Sequence, residues 1–168
     1  FGFSHTRLRG TGASDLIDIL MLPMNENRKE SRFTHEKEDA VPGYYRVLLQ
    51  DDSINAELTA TQRVGVHRYT YYNKEKTSKV FLDLDHSANK GSWGRRVINA
   101  QLRQVGPSAI EGYRIITGWG KLRKIYFYAE FSQPIVASEM MNHNRTHRNI
   151  AVVNGTNLKA DSDCDRQD

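Results

Sequence analysis

One cysteine, four prolines and the lack of any long apolar run are the scarcities that bound this 168-residue chain. With Cys164 alone, no disulfide can close within the chain, and the redox compartment stays open. The apolar stretch IDILMLP, residues 17–23, falls far short of the roughly 18 residues a membrane helix needs, so no membrane partner is expected. No basic-then-apolar leader precedes Phe1, and the chain reads as processed or excerpted.

A stripe of one charge sign is also missing. A formal charge of +4 and a pI of about 9.2 would suit a polyanion. Lys and Arg are nevertheless interleaved with Asp and Glu, as in NENRKESRFTHEKED at 25–39, which cancels the local field. A solvated mixed-charge surface and no nucleic-acid partner follow. The aromatic stretch LRKIYFYAEF, 122–131, lacks the glycines that let bases lie on a sheet, so alternation of core and surface explains it better.

What the chain does have is a succession of short strand signals in a single domain, with no amphipathic helix of ten residues. IDILML reads as a buried strand stopped by Pro23. A strand after PGYY puts Tyr45, Val47 and Leu49 on one face. Residues 54–72 hold two strands or one bent strand, with Gly65 a candidate bulge. SKVFLDLD places Val80, Leu82 and Leu84 inward against Phe81, Asp83 and Asp85; the next strand places Ile98, Ala100 and Leu102 inward. Ile125, Phe127, Ala129 and Phe131 then face one way, with Tyr126, Tyr128 and Glu130 the other. The expected fold is an all-β antiparallel β-sandwich over residues 1–138. The polar stretch 139–168 is expected to add at most one edge strand before a tail that contains Cys164.

Most chemical motifs are absent. GTGASD, 10–15, has Asp15 where the third glycine of a nucleotide loop belongs, and no apolar strand precedes it. His143 and His147 have the i, i+4 spacing of a helical metal pair but lack the Glu of H-E-x-x-H; Asp83 and Asp85 read as the wet face of a strand. No G-x-S-x-G elbow occurs, so no catalytic residue and no metal ligand is assigned to this chain. The glycine-punctuated polar loop from Ser4 to Asp15 remains, and its hydroxyls, imidazole and carboxylate are the donors and acceptors that a sugar's hydroxyls require.

FGFSHTRLRGTGASDLIDILMLP, at the start, and SRFTHEKEDAVPGYYRVLLQDDSINAELTATQRVGVHRYTYY, at 31–72, together resemble the N-terminal domain of glycoside hydrolase family 92, the calcium-dependent α-mannosidases. The family's first block is similar to G-F-S-H-T-H-L-S-G-T-G, and its second to S-x-F-S-H-E-x-E, P-G-Y-Y, A-E-L-T-A-T and R-x-G-x-H-R-Y. The match runs from Phe1 to about Pro134, and NGTNLKA is faintly similar. The resemblance implies a supersandwich of the galactose-mutarotase-like type that packs on an (α/α)₆ barrel, with the substrate between them. It implies exo-hydrolysis of α-linked mannose from mannose-containing glycans with inversion, by two carboxyl groups roughly 6.5–9.5 Å apart. Those carboxyl groups and most ligands of a Ca²⁺ ion would belong to the barrel, so this chain would not be catalytic alone. The family also implies a periplasmic or extracellular location.

On that basis His5, Thr6, Gly10, Thr11, Gly12 and Asp15 are the expected substrate-contacting residues, with Gly10 and Gly12 shaping the turn. Arg7 and Arg9 replace a His and a Ser of the family pattern and would favour anionic mannosides. His35, Glu36 and Glu38 fit the second motif and are expected to hydrogen-bond inside the sandwich. The competing class is a free-standing carbohydrate-binding or protein-interaction sandwich.

Overall fold

The computed structural model describes residues 2–6, 16–26, 30–86, 97–118, 121–142, 145–148, 152–155 and 158–164. Fourteen strands run in chain order: β1 (Phe3–His5), β2 (Asp18–Met24), β3 (Glu38–Val41), β4 (Tyr44–Leu49), β5 (Ile54–Ala60), β6 (Gly65–Tyr71), β7 (Ser78–Asp83), β8 (Val97–Val105), β9 (Ala109–Ile116), β10 (Arg123–Glu130), β11 (Ile135–Asn142), β12 (Arg145–Arg148), β13 (Val152–Gly155) and β14 (Leu158–Cys164). A single 3₁₀ turn, His35–Lys37, is the only helical element among the described residues. Every strand pairing among the described residues is antiparallel, as expected.

The strands form three sheets, ordered β1-β2-β7-β14-β11-β12, β10-β9-β8-β13 and β3-β4-β5-β6. The six-stranded sheet is the middle layer, because it feeds two separate cores. Ile19, Leu82, Leu84, Met140 and Ala160 pack against Ala100, Leu102, Ile110, Ile116 and Val153 of the β8–β10 sheet and β13. Leu22, Met24 and Phe81 turn to the other side and pack against Val47, Leu49, Ile54 and Ala56 of the β3–β6 sheet.

The fold corrects several expectations. Phe81 is not on a wet face: it is 2% exposed in the second core, because β7 is covered on both faces and its apolar pattern is continuous where an outer strand's would alternate. Ile98 points outward and Val97 inward, since a register shift between Val97 and Asn99 flips the alternation, which resumes at Ala100. Pro23 does not stop β2. The strand continues to Met24, beyond the last β1 pairing at Phe3↔Met21, where β2 has a neighbour on one side only. Gly65 is no bulge either; it opens β6 in an unbroken register with β5.

The polar stretch 139–168 contributes the end of β11 and all of β12, β13 and β14, against the single edge strand expected. β14 lies between β7 and β11, and Cys164 is its last residue, paired with Ser78 and Ile135, not part of a tail. Its place is set by backbone ladders on both sides, which composition does not register; among its described side chains Ala160 enters the first core. His147 sits on β12 opposite Met140, in extended chain, which rules out the helical spacing with His143, itself outside the described residues.

Other readings hold. Val47 and Leu49 are buried with Tyr45 packed beside them, and Ile125, Phe127, Ala129 and Phe131 face the first core while Tyr126 and Tyr128 are exposed. Phe127 crosses Gly112, where a Cβ would come within 2.9 Å of its ring and 2.2 Å of the Gln101 carbonyl oxygen. The interleaved charges pair on the outer surfaces, as in Arg32–Asp51, Arg68–Glu57, Arg103–Glu111 and Arg148–Glu139.

Candidate functional site

The polar loop of the first motif leaves the middle sheet through an irregular stretch of β1 and β2. Ser4 pairs with Leu20 and His5 with Asp18, so Ile19 is the extra residue of a β-bulge. Its φ is +51°, and the residues on either side of the loop, Thr6 and Leu16, have φ of +58° and +72°. For β-branched Ile and Thr this is a costly backbone region, of order 1–3 kcal/mol each, and it persists where the surroundings dictate it. The bulge takes the Ile19 carbonyl out of the ladder, and His5 Nδ1–H donates to it at 2.9 Å.

The other end of the His5 ring meets β6. Its Nε2 lies 3.2 Å from Nε2 of His67, with the two rings 8° from parallel. His67 Nδ1 is 2.6 Å from the Tyr69 hydroxyl. One run of donors satisfies every contact: Tyr69 O–H to His67 Nδ1, His67 Nε2–H to His5 Nε2, His5 Nδ1–H to the Ile19 carbonyl. Burial, with His5 alongside, pushes His67 down to about 4, so it is neutral at neutral pH. Burial likewise pushes the Tyr69 hydroxyl upward. Phe3 fits among Tyr45, His67 and Tyr69 at ring distances of 6.2–6.4 Å. Gly65 makes room: a Cβ there would stand 3.3 Å from two atoms of the His5 ring. The period of two along β6 puts Gly65, His67 and Tyr69 on the same face.

A second constellation lies beside it. Asp18 is 1% exposed, and its Oδ2 accepts from Thr6 Oγ1 at 2.6 Å and from Arg123 Nη1 at 2.9 Å. Its Oδ1 accepts from Arg123 Nη2 at 3.2 Å, and Arg114 Nη2 stands 3.3 Å away. Arg114 is fully buried on β9 and its Nη1 donates to the His86 carbonyl at 2.7 Å. Burial pulls the Arg114 guanidinium below its ordinary value; Asp18 opposes the fall and Arg123 adds to it.

The two constellations occupy one end of the sandwich. Thr6 and Leu16 flank connection 7–15, His86 and Val97 flank 87–96, and Gly118 and Lys121 flank 119–120; pairing of Val97 and Arg123 with Ile116 brings the last two together. Of the expected contact residues, His5 and Thr6 are here, their polar atoms engaged by protein partners. Gly10, Thr11, Gly12 and Asp15, like Arg7 and Arg9, lie outside the described residues. His35 and Glu38 do hydrogen-bond, but at the surface: His35 Nδ1–H donates to Glu38 Oε2 at 2.5 Å, and Tyr45 O–H to Glu38 Oε1 at 2.7 Å. Glu36 is exposed. The segment leads from β2 of the middle sheet into β3, the edge strand of an outer sheet, where its side chains face solvent.

The described residues do not fit a Ca²⁺ ion. Among them no three His, Cys, Asp or Glu side chains converge, and the oxygens of Asp83 take the Asp85 N–H at 2.8 Å and Lys159 at 3.5 Å. What the arrangement does provide is cross-linking between strands: Asp18 has both oxygens committed, and the imidazole pair ties β6 to β1.

Sequence reasoning passed over His67, Tyr69, Asp18, Arg114 and Arg123. His67 and Tyr69 were within reach, as alternate residues of the R-x-G-x-H-R-Y block; a lone Asp in the apolar IDILML was a second signal. The Arg123–Asp18 pair spans 105 residues and leaves no local trace.

A chain of this design has close counterparts. The structure of the family GH92 α-mannosidase BT3965 from Bacteroides thetaiotaomicron is similar over 98% of this chain, with a TM-score of 0.88 and 31% identity, and its complex with mannoimidazole aligns equally well. The GH92 glycosyl hydrolase ccman5 aligns over 98% at a TM-score of 0.77 and 25% identity. The inverting mannosidase BT2199 of B. thetaiotaomicron shares the fold at 19% identity and a TM-score of 0.71. The chain spans 24% of the length of BT3965 and of ccman5. No curated protein matches it significantly. The model of the glycosyl hydrolase family 92 N-terminal domain matches residues 1–163, and the chain therefore belongs to that family.

Proposed function

We propose that this chain is the sandwich portion of an α-mannosidase that removes α-linked mannose from glycans with inversion, and that the end carrying His5, Thr6 and Asp18 forms one wall of the substrate cleft. The observation that carries the reading is the alignment of 98% of the chain with a quarter of a GH92 α-mannosidase, one form of which holds mannoimidazole. The greater part of such an enzyme lies outside this chain, and there belong the acid, the base and the Ca²⁺ ligands. The described end has the qualities a wall needs: side chains fixed by hydrogen bonds, and strand ends from which three connections leave. A periplasmic or extracellular location is part of the same proposal and rests on the family alone.

The test uses the full-length protein. It is expected to release mannose from α-mannobiosides, with β-mannose appearing first by proton NMR, and to lose activity with a calcium chelator. The isolated chain is expected to release none and to bind mannose no better than about millimolar, since half the contact surface is absent. Release of α-mannose first would remove the inverting mechanism. Micromolar mannose binding by the chain alone would favour a free-standing carbohydrate-binding module.

A further inference from the structure

Asp18 does more than fill a core position. Its carboxylate is where the departures of three connections meet: Thr6 before 7–15, Arg123 after 119–120, and, through Arg114, the His86 carbonyl before 87–96. Thr6 and Asp18 belong to the middle layer, Arg114 and Arg123 to the outer sheet, so the contact fixes two layers against each other at the end where the loops leave.

Stability is a poor reason to keep such a group. Two guanidinium ions around one carboxylate lose more hydration than apolar side chains of the same volume, and replacing a buried ionic cluster by hydrophobic residues is often neutral or favourable. The satisfaction is incomplete as well, because among the described residues Nε of the fully buried Arg114 has no hydrogen-bond partner and Nη2 has only its 3.3 Å ion pair with Asp18. Thr6 sits in the left-handed region, where a β-branched residue is strained, and its hydroxyl is held 2.6 Å from the carboxylate.

We infer that Asp18 is a positioning residue for the cleft: through the Thr6 hydroxyl it sets the His5–Thr6 edge of the wall, and through Arg114 and Arg123 it sets that edge relative to the neighbouring connections. The assignment rests on the proposed mannosidase reading for its effect on catalysis, and on geometry alone for its effect on the loop ends. Thr6 then acts by holding the wall in shape, and its oxygen is not the group that contacts the sugar.

Three variants of the full-length protein decide it: Thr6→Val, which keeps shape and backbone strain but removes the hydroxyl, Thr6→Ser, which keeps the hydroxyl, and Asp18→Asn. Thr6→Val is expected to raise KM for an α-mannoside about five- to tenfold with kcat within about twofold, the partial loss of a charge-assisted hydrogen bond. Hydrogen exchange in Thr6→Val is expected to quicken at residues 3–6 and 16–19 while β4 and β5 keep their protection, and Thr6→Ser is expected to restore both readouts. Asp18→Asn, if it folds, exceeds Thr6→Val in both. Unchanged exchange in Thr6→Val, or a Thr6→Ser protein as impaired as Thr6→Val, overturns the assignment. Should the wild-type protein hydrolyse no α-mannoside, the proposed function falls, while the exchange comparison still decides the role of Asp18.

Discussion

His5 and His67 share a hydrogen bond between their Nε2 atoms, 3.2 Å apart, across 62 residues of sequence. The bond links the exit of β1 to the edge strand of an outer sheet, and it needs a bare nitrogen on one ring facing an N–H on the other.

That requirement gives a pH dependence. His67 titrates near 4 in the folded chain against 6.5 as an ordinary imidazole, so between those values the unfolded chain binds more protons and stability falls as pH is lowered. The contribution is complete above pH 6.5 and gone below about 4. Urea midpoints at pH 7, 5.5 and 4.5 check this: wild type is expected to lose stability over the series more steeply than His67→Gln. Parallel curves for the two proteins would refute it.

Gly65→Ala probes the same contact from outside. Its backbone is not in the left-handed region, and the new methyl would stand 3.3 Å from His5 Cδ2 and Nε2, so the imidazole must give by a few tenths of an ångström. A loss of about 1 kcal/mol is expected, as for mild overpacking. In a His5→Ala background the same substitution should cost almost nothing, and the double-mutant cycle by thermal melting measures the difference.

The three-layer arrangement makes Phe81 and Tyr128 unequal. Both are aromatic residues in the middle of a strand, yet Phe81 is 2% exposed and Tyr128 60%. Phe81→Ala is expected to cost about 3–5 kcal/mol and Tyr128→Ala less than about 0.5 kcal/mol. Similar losses in denaturant titrations would show that β7 is not covered on both faces.

Antiparallel architecture and most strand faces were legible because they follow from alternation and turn residues, which act over a few positions; β10 and the Val47–Leu49 face show it. Alternation misleads where a strand has two covered faces, as at Phe81, or where a bulge resets the parity, as at Ile98. The motif containing His5 and Thr6 was legible as a block of residue types. That they meet Asp18, His67, Arg114 and Arg123 was not, because those four come from four strands whose neighbourhood is created by the stacking of sheets. Nor was β14, whose ladder partners β7 and β11 lie far from it in the chain or beyond two strands that pair elsewhere.

The seat of β14 between β7 and β11 has a bearing on biosynthesis. As the chain emerges from the ribosome, β7 must wait for some 75 further residues before its second neighbour exists, and its open hydrogen-bonding rim is meanwhile available to other nascent chains. A ribosome that stalls just short of Leu158 therefore leaves β1-β2-β7 and β11-β12 as two disconnected half-sheets, products for chaperones and proteases to clear.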